Sequence, residues 1–473
     1  MTVTGNPEAS TAQTASFGSR VPTVPLLLLL LVALGSLGFY AIGFVRESLQ
    51  MDFAAYYTAG EAINRNLTPY RNHVDAEPPL WDGVARFTHS RFLYPPLAAY
   101  LFSPLARLSY PAAKALWTLL GLVSIGASLL GAAWIVGPKH ITARGWTLVG
   151  IAVALFHPFL THLERGQIDS LTLMILVVSF ALMLKGRRPW HGLAAGLLLG
   201  PATLLKLHVG LILPFLVVRR RWRVTVGYAI GLALLVVLSM LVTPALSIDY
   251  VTNHLPRISL YGEAGEADML LREEALDRLL MGVPEGLTQK GGQVYQREYF
   301  PFFANATLVR YVSPRLAQWG LEVSLSQLSV GIFAVMFCVA FLWQRFCRFN
   351  ERGREPASEL LYWLLVLQII LLSAPQTWVM NLVWLLPLFV VLAVELPRVR
   401  ALVPALCMVV WLAGLALAGV PDAFLGTWGI SGRHLYPWGW EWASQKYLVA
   451  QLLLLVSITL FLTDTVSKKE ITR

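Results

Sequence analysis

The sequence predicts an all-α fold, a polytopic bundle of transmembrane helices. Hydrophobic residues make up 56% of the 473 positions and charged residues only 14%, whereas a soluble globular domain carries about 25% charged residues. The mean hydropathy is +0.61. Long apolar runs recur along the whole chain, so that neither one buried core helix nor a cleaved signal sequence accounts for the excess of apolar residues.

The basic residues give this bundle a predicted orientation. They cluster just beyond apolar runs, for example at Arg187-Arg188, at Arg219 to Arg223 and at Lys468-Lys469, and short cytoplasmic loops carry such an excess of Lys and Arg. Placing each cluster in the cytoplasm predicts a protein of the cell (plasma) membrane with both termini inside and about ten to twelve spans. The spans are expected near residues 24–45, 111–136, 146–163, 170–184, 224–243, 327–345, 358–373, 377–395, 399–420 and 447–463.

One apolar stretch does not fit the pattern of full spans. Residues 190–218 have arginines at both ends, so that the chain crosses here an even number of times, yet two full spans need about forty residues. We expect a pair of short helices with Lys206 and His208 near the bend, buried against protein or facing a wet cavity.

The polar segments complete the predicted organisation. Residues 1–20 are rich in Ser, Thr, Ala and Gly and are expected to form a disordered cytoplasmic tail. Residues 21–473 are expected to form a single transmembrane domain. The long polar loops, 46–110 and 244–326, fall on the external side, and we expect the active site in the external loops.

Composition and spacing exclude several classes of partner. The net charge is +10, but the basic residues lie at the ends of spans and no soluble basic domain is present, so we expect membrane lipids and no nucleic acid as partners. Cys338, Cys347 and Cys407 lie in or beside apolar runs without CxxC spacing, which argues against a disulfide framework or a zinc site. We expect no metal and no cofactor.

Asp52 is the candidate catalytic residue of the first external loop. It follows the first predicted span by about seven residues, so that its carboxylate is expected close to the outer membrane surface. A carboxylate held there, partly desolvated and near a lipid-borne substrate, is suited to act as a general base. The alternative is structural, because Asp52 precedes ten residues of helical pattern and Asp is a good N-cap.

Lys206 is the candidate ligand of a phosphate. A lysine inside an apolar stretch is costly unless it is paired or wet, and is a functional hypothesis by default, although a side chain that snorkels to an interface is the alternative. Arg91 lies beside an external motif and is either a second phosphate ligand or a headgroup-level surface residue. Gln167 is a candidate for hydrogen bonding to a sugar hydroxyl, or else a polar residue at a helix start.

Four segments carry a resemblance to a known family. Residues 52–59 read Asp-Phe-x-x-Tyr-Tyr-x-Ala, and residues 92–98 read Phe-Leu-Tyr-Pro-Pro-Leu-Ala. His157-Pro158 leads to Gly166-Gln167, and Ala195-Gly196 leads to Lys206. In this order the segments resemble glycosyltransferase family 87, whose members are multi-spanning enzymes of the GT-C type.

The resemblance implies an activity and a set of site residues. It implies a hexosyltransferase that moves a hexose, mannose above all, from a polyprenyl-phosphate sugar donor to a hydroxyl of a glycolipid or glycan acceptor, with inversion. The acidic residue of the first external loop is the base proposed for the family, which corresponds to Asp52. Tyr56 and Tyr94 of the quoted motifs become candidate substrate-binding residues.

The chain also departs from the family pattern. The family commonly has Ser-Pro-x-Ser-Trp-x-His-His late in the chain, and here both histidines are replaced, by Met380 and Asn381. Asn381 still donates a hydrogen bond and remains a candidate substrate ligand, but it does not take a proton at neutral pH. Asp169 stands where Asn is common. A divergent enzyme and a catalytically inactive relative are therefore both open, as are a transporter of polyprenol-linked sugars or lipids and a membrane scaffold.

Overall fold

The computed structural model describes residues 23–46, 50–71, 73–76, 83–84, 92–258, 306–346, 355–398, 402–419 and 445–471. The regular elements in these ranges are helices. In the first half they are α1 Thr23–Arg46, α2 Met51–Asn64, α3 His73–Ala76, α4 Pro96–Phe102, α5 Tyr110–Val136, α6 Ala143–Ala154, α7 His157–Arg165, α8 Asp169–Lys185, α9 Pro189–Leu205, α10 Leu213–Val218 and α11 Trp222–Val242. The second half contains α12 Pro244–Asp249, α13 Leu255–Ile258, α14 Leu308–Gln318, α15 Leu325–Phe346, α16 Pro356–Ser373, α17 Pro387–Glu395, α18 Leu402–Gly419 and α19 Lys446–Ile471.

Short helices of other types join these elements. They are the 3₁₀ helices Leu105–Arg107, Pro138–His140, Leu207–Ile212, Val379–Leu385 and Leu396–Arg398, and the π-helical turn Tyr250–His254. The predicted tail 1–20 and most of the predicted loop 244–326 lie outside the described residues.

Seven described helices are long and apolar enough to cross a membrane: α1, α5, α11, α15, α16, α18 and α19. The helices α6 and α7 are bent by 53° at a short break and together make an eighth candidate. The chain is therefore a multi-pass membrane protein. The described part does not reach the predicted ten to twelve spans by this measure, because α8 and α9 have only 17 residues each and the other apolar segments are broken.

The apolar stretch 190–218 forms the predicted pair of short helices. The first, α9, ends at Leu205, and Lys206 has extended backbone angles, φ −147° and ψ 99°. A 3₁₀ helix follows directly and continues into α10. Pro201 lies inside α9 without ending it, so the break occurs at the lysine.

Two apolar clusters organise the bundle. The larger surrounds α16, where 89% of the 18-residue apolar window is buried, and contains Trp363, Trp384 and Trp411. The smaller joins α2, α4 and the start of α5 and is largely aromatic, including Phe53, Tyr56, Phe102, Tyr110 and Trp117. Ile168 and Leu205, which immediately precede α8 and Lys206, pack into the aromatic cluster, and this packing places both chain segments beside α2.

Helices α9 and α11 approach each other through glycines. A Cβ atom on Gly227 would lie 2.2 Å from the carbonyl oxygen of Leu193, and one on Gly196 would lie 2.1 Å from that of Val224. Contacts between helix backbones at this distance leave no room for a side chain, and small residues permit such packing in membranes. The close pairing with α11 fixes the position of α9 and therefore of Lys206 at its end.

We predict that Gly227→Ala destabilises the protein by about 1–3 kcal/mol, because the added methyl group forces α9 and α11 apart. Gly331→Ala on α15 is the matched control, since a Cβ there meets nothing within 4 Å and alanine favours a helix over glycine by about 1 kcal/mol. Thermal unfolding of the detergent-purified variants measures both effects. Equal melting temperatures for the two variants would contradict the packing argument.

Candidate functional site

Asp52 lies in the first turn of α2 and is not its N-cap. The helix begins at Met51, and the N-cap residue is Gln50, so the capping interpretation is wrong. The Asp52 side chain is nearly buried, with a residue exposure of 8%. A carboxylate in the first turn is favoured by the partial positive charge of the helix N-terminus, and this leaves the carboxylate available for other contacts.

Gln167 holds the carboxylate of Asp52. Its Nε2 donates to Asp52 Oδ2 at 2.6 Å, and its Oε1 accepts a hydrogen bond from the Tyr56 hydroxyl at 3.2 Å. A carboxylate accepts only, so the orientation of the amide between the two partners is fixed.

The turn before α8 explains the Gly-Gln pair. Gly166 has φ +66°, a left-handed conformation that favours glycine, and a Cβ there would lie 2.7 Å from the Cβ of Phe53. The Trp117 indole donates to the Gly166 carbonyl at 2.8 Å. Gln50 donates to the carbonyl of Leu163 at 3.3 Å. These contacts press the turn against α2, so that Gln167 reaches Asp52.

Tyr94 extends the same chain of hydrogen bonds. Its hydroxyl lies 2.9 Å from the Tyr56 hydroxyl, and since Tyr56 gives its proton to Gln167, Tyr94 is the donor of this pair. Burial raises the pKa of both phenols above the ordinary value. Both hydroxyls therefore keep their protons at neutral pH and remain donors.

Lys206 forms a buried ion pair with Asp169. Its Nζ lies 3.1 Å from Asp169 Oδ2, and the Asp169 side chain is fully buried. The same oxygen accepts a hydrogen bond from Asn381 Nδ2 at 2.9 Å. Asn381 is held in turn, because its Oδ1 accepts from the backbone N–H of Trp378 at 2.7 Å. The Nζ of Lys206 is also 6.0 Å from the ring centre of Tyr94.

The structure brings six of the predicted site residues into two linked groups. Asp52, Gln167, Tyr56 and Tyr94 form the first, and Lys206 and Asn381 meet through Asp169 in the second. The two groups are joined by the chain itself, because a single buried residue, Ile168, separates Gln167 from Asp169. The predicted residue Arg91 lies outside the described residues.

Sequence reasoning missed the role of Asp169, which it treated only as a departure from a family pattern. The signal that indicates this role is a lone carboxylate at the start of an apolar helix, together with a lone lysine in an apolar stretch, since each needs a partner of opposite charge. Within the ranges that the structure describes, no three His, Cys, Asp or Glu side chains are grouped as a metal ion requires.

Comparison with known proteins supports the predicted resemblance. A sequence profile described as glycosyltransferase family 87 matches residues 92–281. This range contains Gln167, Asp169 and Lys206. The matched range begins beyond Asp52 and ends before Asn381.

Two curated relatives have the same name, polyprenol-phosphate-mannose-dependent alpha-(1-2)-phosphatidylinositol mannoside mannosyltransferase. The protein of Mycolicibacterium smegmatis is 26% identical over 367 residues, which cover 74% of this chain and 71% of that protein. The protein of Mycobacterium tuberculosis is 30% identical over 246 residues, or 46% of this chain and 56% of that protein. The resemblance to family 87 is confirmed, and the matches support a membrane glycosyltransferase.

We predict that Lys206→Met lowers the free energy of unfolding by roughly 3–5 kcal/mol, because it leaves the buried carboxylate of Asp169 without its counter-charge. The double variant Asp169→Asn, Lys206→Met removes both charges and should recover much of that loss. Chemical unfolding in detergent of the wild type, the two single variants and the double variant gives the coupling energy. Additive effects of the two substitutions would show that the ion pair does not stabilise the fold.

Proposed function

We propose that this chain, a relative of glycosyltransferase family 87, transfers a hexose from a polyprenyl-phosphate sugar to a hydroxyl of a glycolipid or glycan. Mannose is the first candidate for the sugar, and a glycolipid for the acceptor, because both occur in the names of the two curated relatives. The observation that carries the proposal is the buried carboxylate of Asp52, held at 2.6 Å by Gln167 next to a buried lysine.

Asp52 is the proposed base of a single displacement. The acceptor oxygen forms a bond to the anomeric carbon of the sugar while the bond from that carbon to the phosphate oxygen breaks. The acceptor proton passes to Asp52, and polyprenyl phosphate leaves as an anion. One displacement inverts the anomeric centre. Gln167 supports this role because it fixes one carboxylate oxygen through a neutral donor, and orientation of a base is a large part of its effect.

Lys206 is the proposed ligand of the donor phosphate. An ammonium group has three N–H donors, and the ion pair with Asp169 engages one oxygen acceptor. The remaining donors are available to phosphate oxygens as negative charge grows on the leaving group. Tyr94, whose ring lies 6.0 Å from the ammonium nitrogen, and Asn381 are proposed to line the same place, and Arg91 is proposed as a second cation.

The proposed orientation places this site on the external side. Arg187 and Arg188 follow α8, and Arg219 to Arg223 separate α10 from α11, so the opposite ends of these helices, with Asp169 and Lys206, lie away from the basic loops. The positive-inside rule then places the basic loops in the cytoplasm. Both termini are proposed to be cytoplasmic.

We predict that Asp52→Asn lowers the rate of transfer about a hundredfold to ten-thousandfold, the usual contribution of a general base. The assay uses purified protein, radiolabelled polyprenyl-phosphate mannose and a lipid extract, with a new glycolipid as the product. Asparagine keeps the size of the side chain, and the lost interaction with the α2 dipole is worth only about 0.3–1 kcal/mol, so the melting temperature should change little.

Glu61→Gln is the matched control for this substitution. It removes one carboxylate from the same helix, at a residue paired with Arg65 near the protein surface, and should keep normal transfer. Wild-type transfer by Asp52→Asn would refute the base assignment, and absence of transfer by the wild type with every lipid-phosphate sugar and acceptor lipid tested would refute the proposed reaction.

We predict that a cysteine at Arg71 reacts with an impermeant thiol reagent in intact cells and that one at Arg187 does not. Both residues are exposed, both substitutions remove one arginine, and the native cysteines are replaced by serine in both variants. Permeabilised cells should label both positions, which controls for access. Labelling at Arg187 alone in intact cells would place Asp52 on the cytoplasmic side.

A further inference from the structure

Three buried polar atoms near Lys206 lack a hydrogen-bond partner among the described residues. They are Asp169 Oδ1, His162 Nδ1 and His208 Nε2. Asp169 and His162 are 0% and 1% exposed. An unpaired buried polar atom costs free energy, and most such atoms in native proteins are paired. Three of them in one place require an explanation.

The three atoms belong to separate elements that converge on one cation. Asp169 opens α8 and pairs with Lys206. His162 lies on α7, His208 lies in the 3₁₀ helix after Lys206, and the charge of Lys206 acts on both imidazole rings. The helix α7 packs against the 3₁₀ helix that contains Asn381, and His208 lies 5.1 Å from the ring of Trp384 in the same helix.

This arrangement differs from isolated unpaired groups in the apolar core. Trp363 and Trp411 also have an unpaired indole N–H, but they are fully buried in the large apolar cluster around α16. The three atoms near Lys206 instead adjoin the hydrogen-bonded groups of the candidate site. Their missing partners are therefore expected to arrive with a substrate.

We propose that Asp169 Oδ1, His162 Nδ1 and His208 Nε2 form a subsite for the hydroxyl groups of the transferred sugar. The inference rests on the proposed function, since it assigns the sugar of the donor to one side of Lys206 and its phosphate to the other. A sugar hydroxyl both donates and accepts, so it satisfies a carboxylate oxygen and an imidazole nitrogen alike.

The chemistry of the three atoms favours a neutral hydroxyl over the phosphate. A carboxylate oxygen repels a phosphate oxygen, whereas it accepts a hydrogen bond from a hydroxyl group. The unpaired carboxylate oxygen belongs to the residue that neutralises Lys206. The phosphate therefore takes the free N–H donors of the lysine, and the sugar takes the oxygen of Asp169.

The substitutions His162→Phe and His208→Phe test the subsite without disturbing the ion pair. Phenylalanine keeps an aromatic ring beside Phe159 in the first case and beside Trp384 in the second. Each substitution removes an unpaired buried polar atom, so the thermal stability of the protein should stay equal or rise. A role of either histidine in folding alone would instead lower it.

The measurement compares two ligands of equal chain length, polyprenyl phosphate and polyprenyl-phosphate mannose, by titration of the wild type and the variants. We expect the wild type to bind the mannose-bearing ligand more tightly. Each variant should lose roughly threefold to tenfold of that gain, the size of one hydrogen bond, while its affinity for polyprenyl phosphate stays unchanged. His140→Phe, an exposed site at the other end of α5, should change neither affinity.

Two failures are distinguishable. If the wild type binds both ligands but the variants keep the full gain from mannose, the subsite is wrong while the donor carrier of the proposed function stands. If the wild type binds neither ligand, the proposed function is wrong and the subsite is wrong with it.

Discussion

The site depends on the need of one buried ammonium group for a counter-charge. Lys206 follows a helix of the membrane bundle, where an unpaired cation is expensive, and the fully buried carboxylate of Asp169 supplies the opposite charge at 3.1 Å. Asn381, 212 residues further along the chain, donates to the same oxygen. Three segments distant in sequence are therefore held together by a requirement that no single helix satisfies.

The backbone around this pair is shaped to allow it. The helix α9 stops at Leu205, and the extended conformation of Lys206 turns its side chain out of the helical path. The left-handed turn at Gly166 allows Gln167 to contact α2 while α8 begins two residues later at Asp169. Because Gln167 contacts one carboxylate and Asp169 is the other, a single turn determines the separation of the two acidic side chains.

The sequence predicted the positions of the membrane helices well and the number of spans less well. Apolar runs and basic clusters located α1, α5, α11, α15, α16 and α18 within a few residues, because both signals are local. The bend between α6 and α7 was not predicted, since His157-Pro158 begins the second helix of the pair as readily as it would interrupt one long span.

The candidate site was predicted as a collection of residues and not as a network. Motifs identified Asp52, Gln167 and Lys206, and the structure brings all three together. The hydrogen bonds from Gln167 to Asp52 and from Asn381 to Asp169 join residues more than a hundred positions apart, and no local pattern encodes such a pairing. The N-cap interpretation of Asp52 failed because helix boundaries read from a sequence are uncertain by a residue or two.

The two carboxylates are suited to different tasks because their partners differ. A proton on Asp169 would remove the counter-charge of Lys206, so that the structure opposes it; a proton on Asp52 leaves that ion pair intact. Asp52 is held by the neutral amide of Gln167, and Asp169 by an ammonium group and by Asn381. Asn381 does not titrate at neutral pH, so it stabilises the ionised Asp169 without adding a charge. Proton transfer is therefore assigned to Asp52, and Asp169 keeps the cation in place.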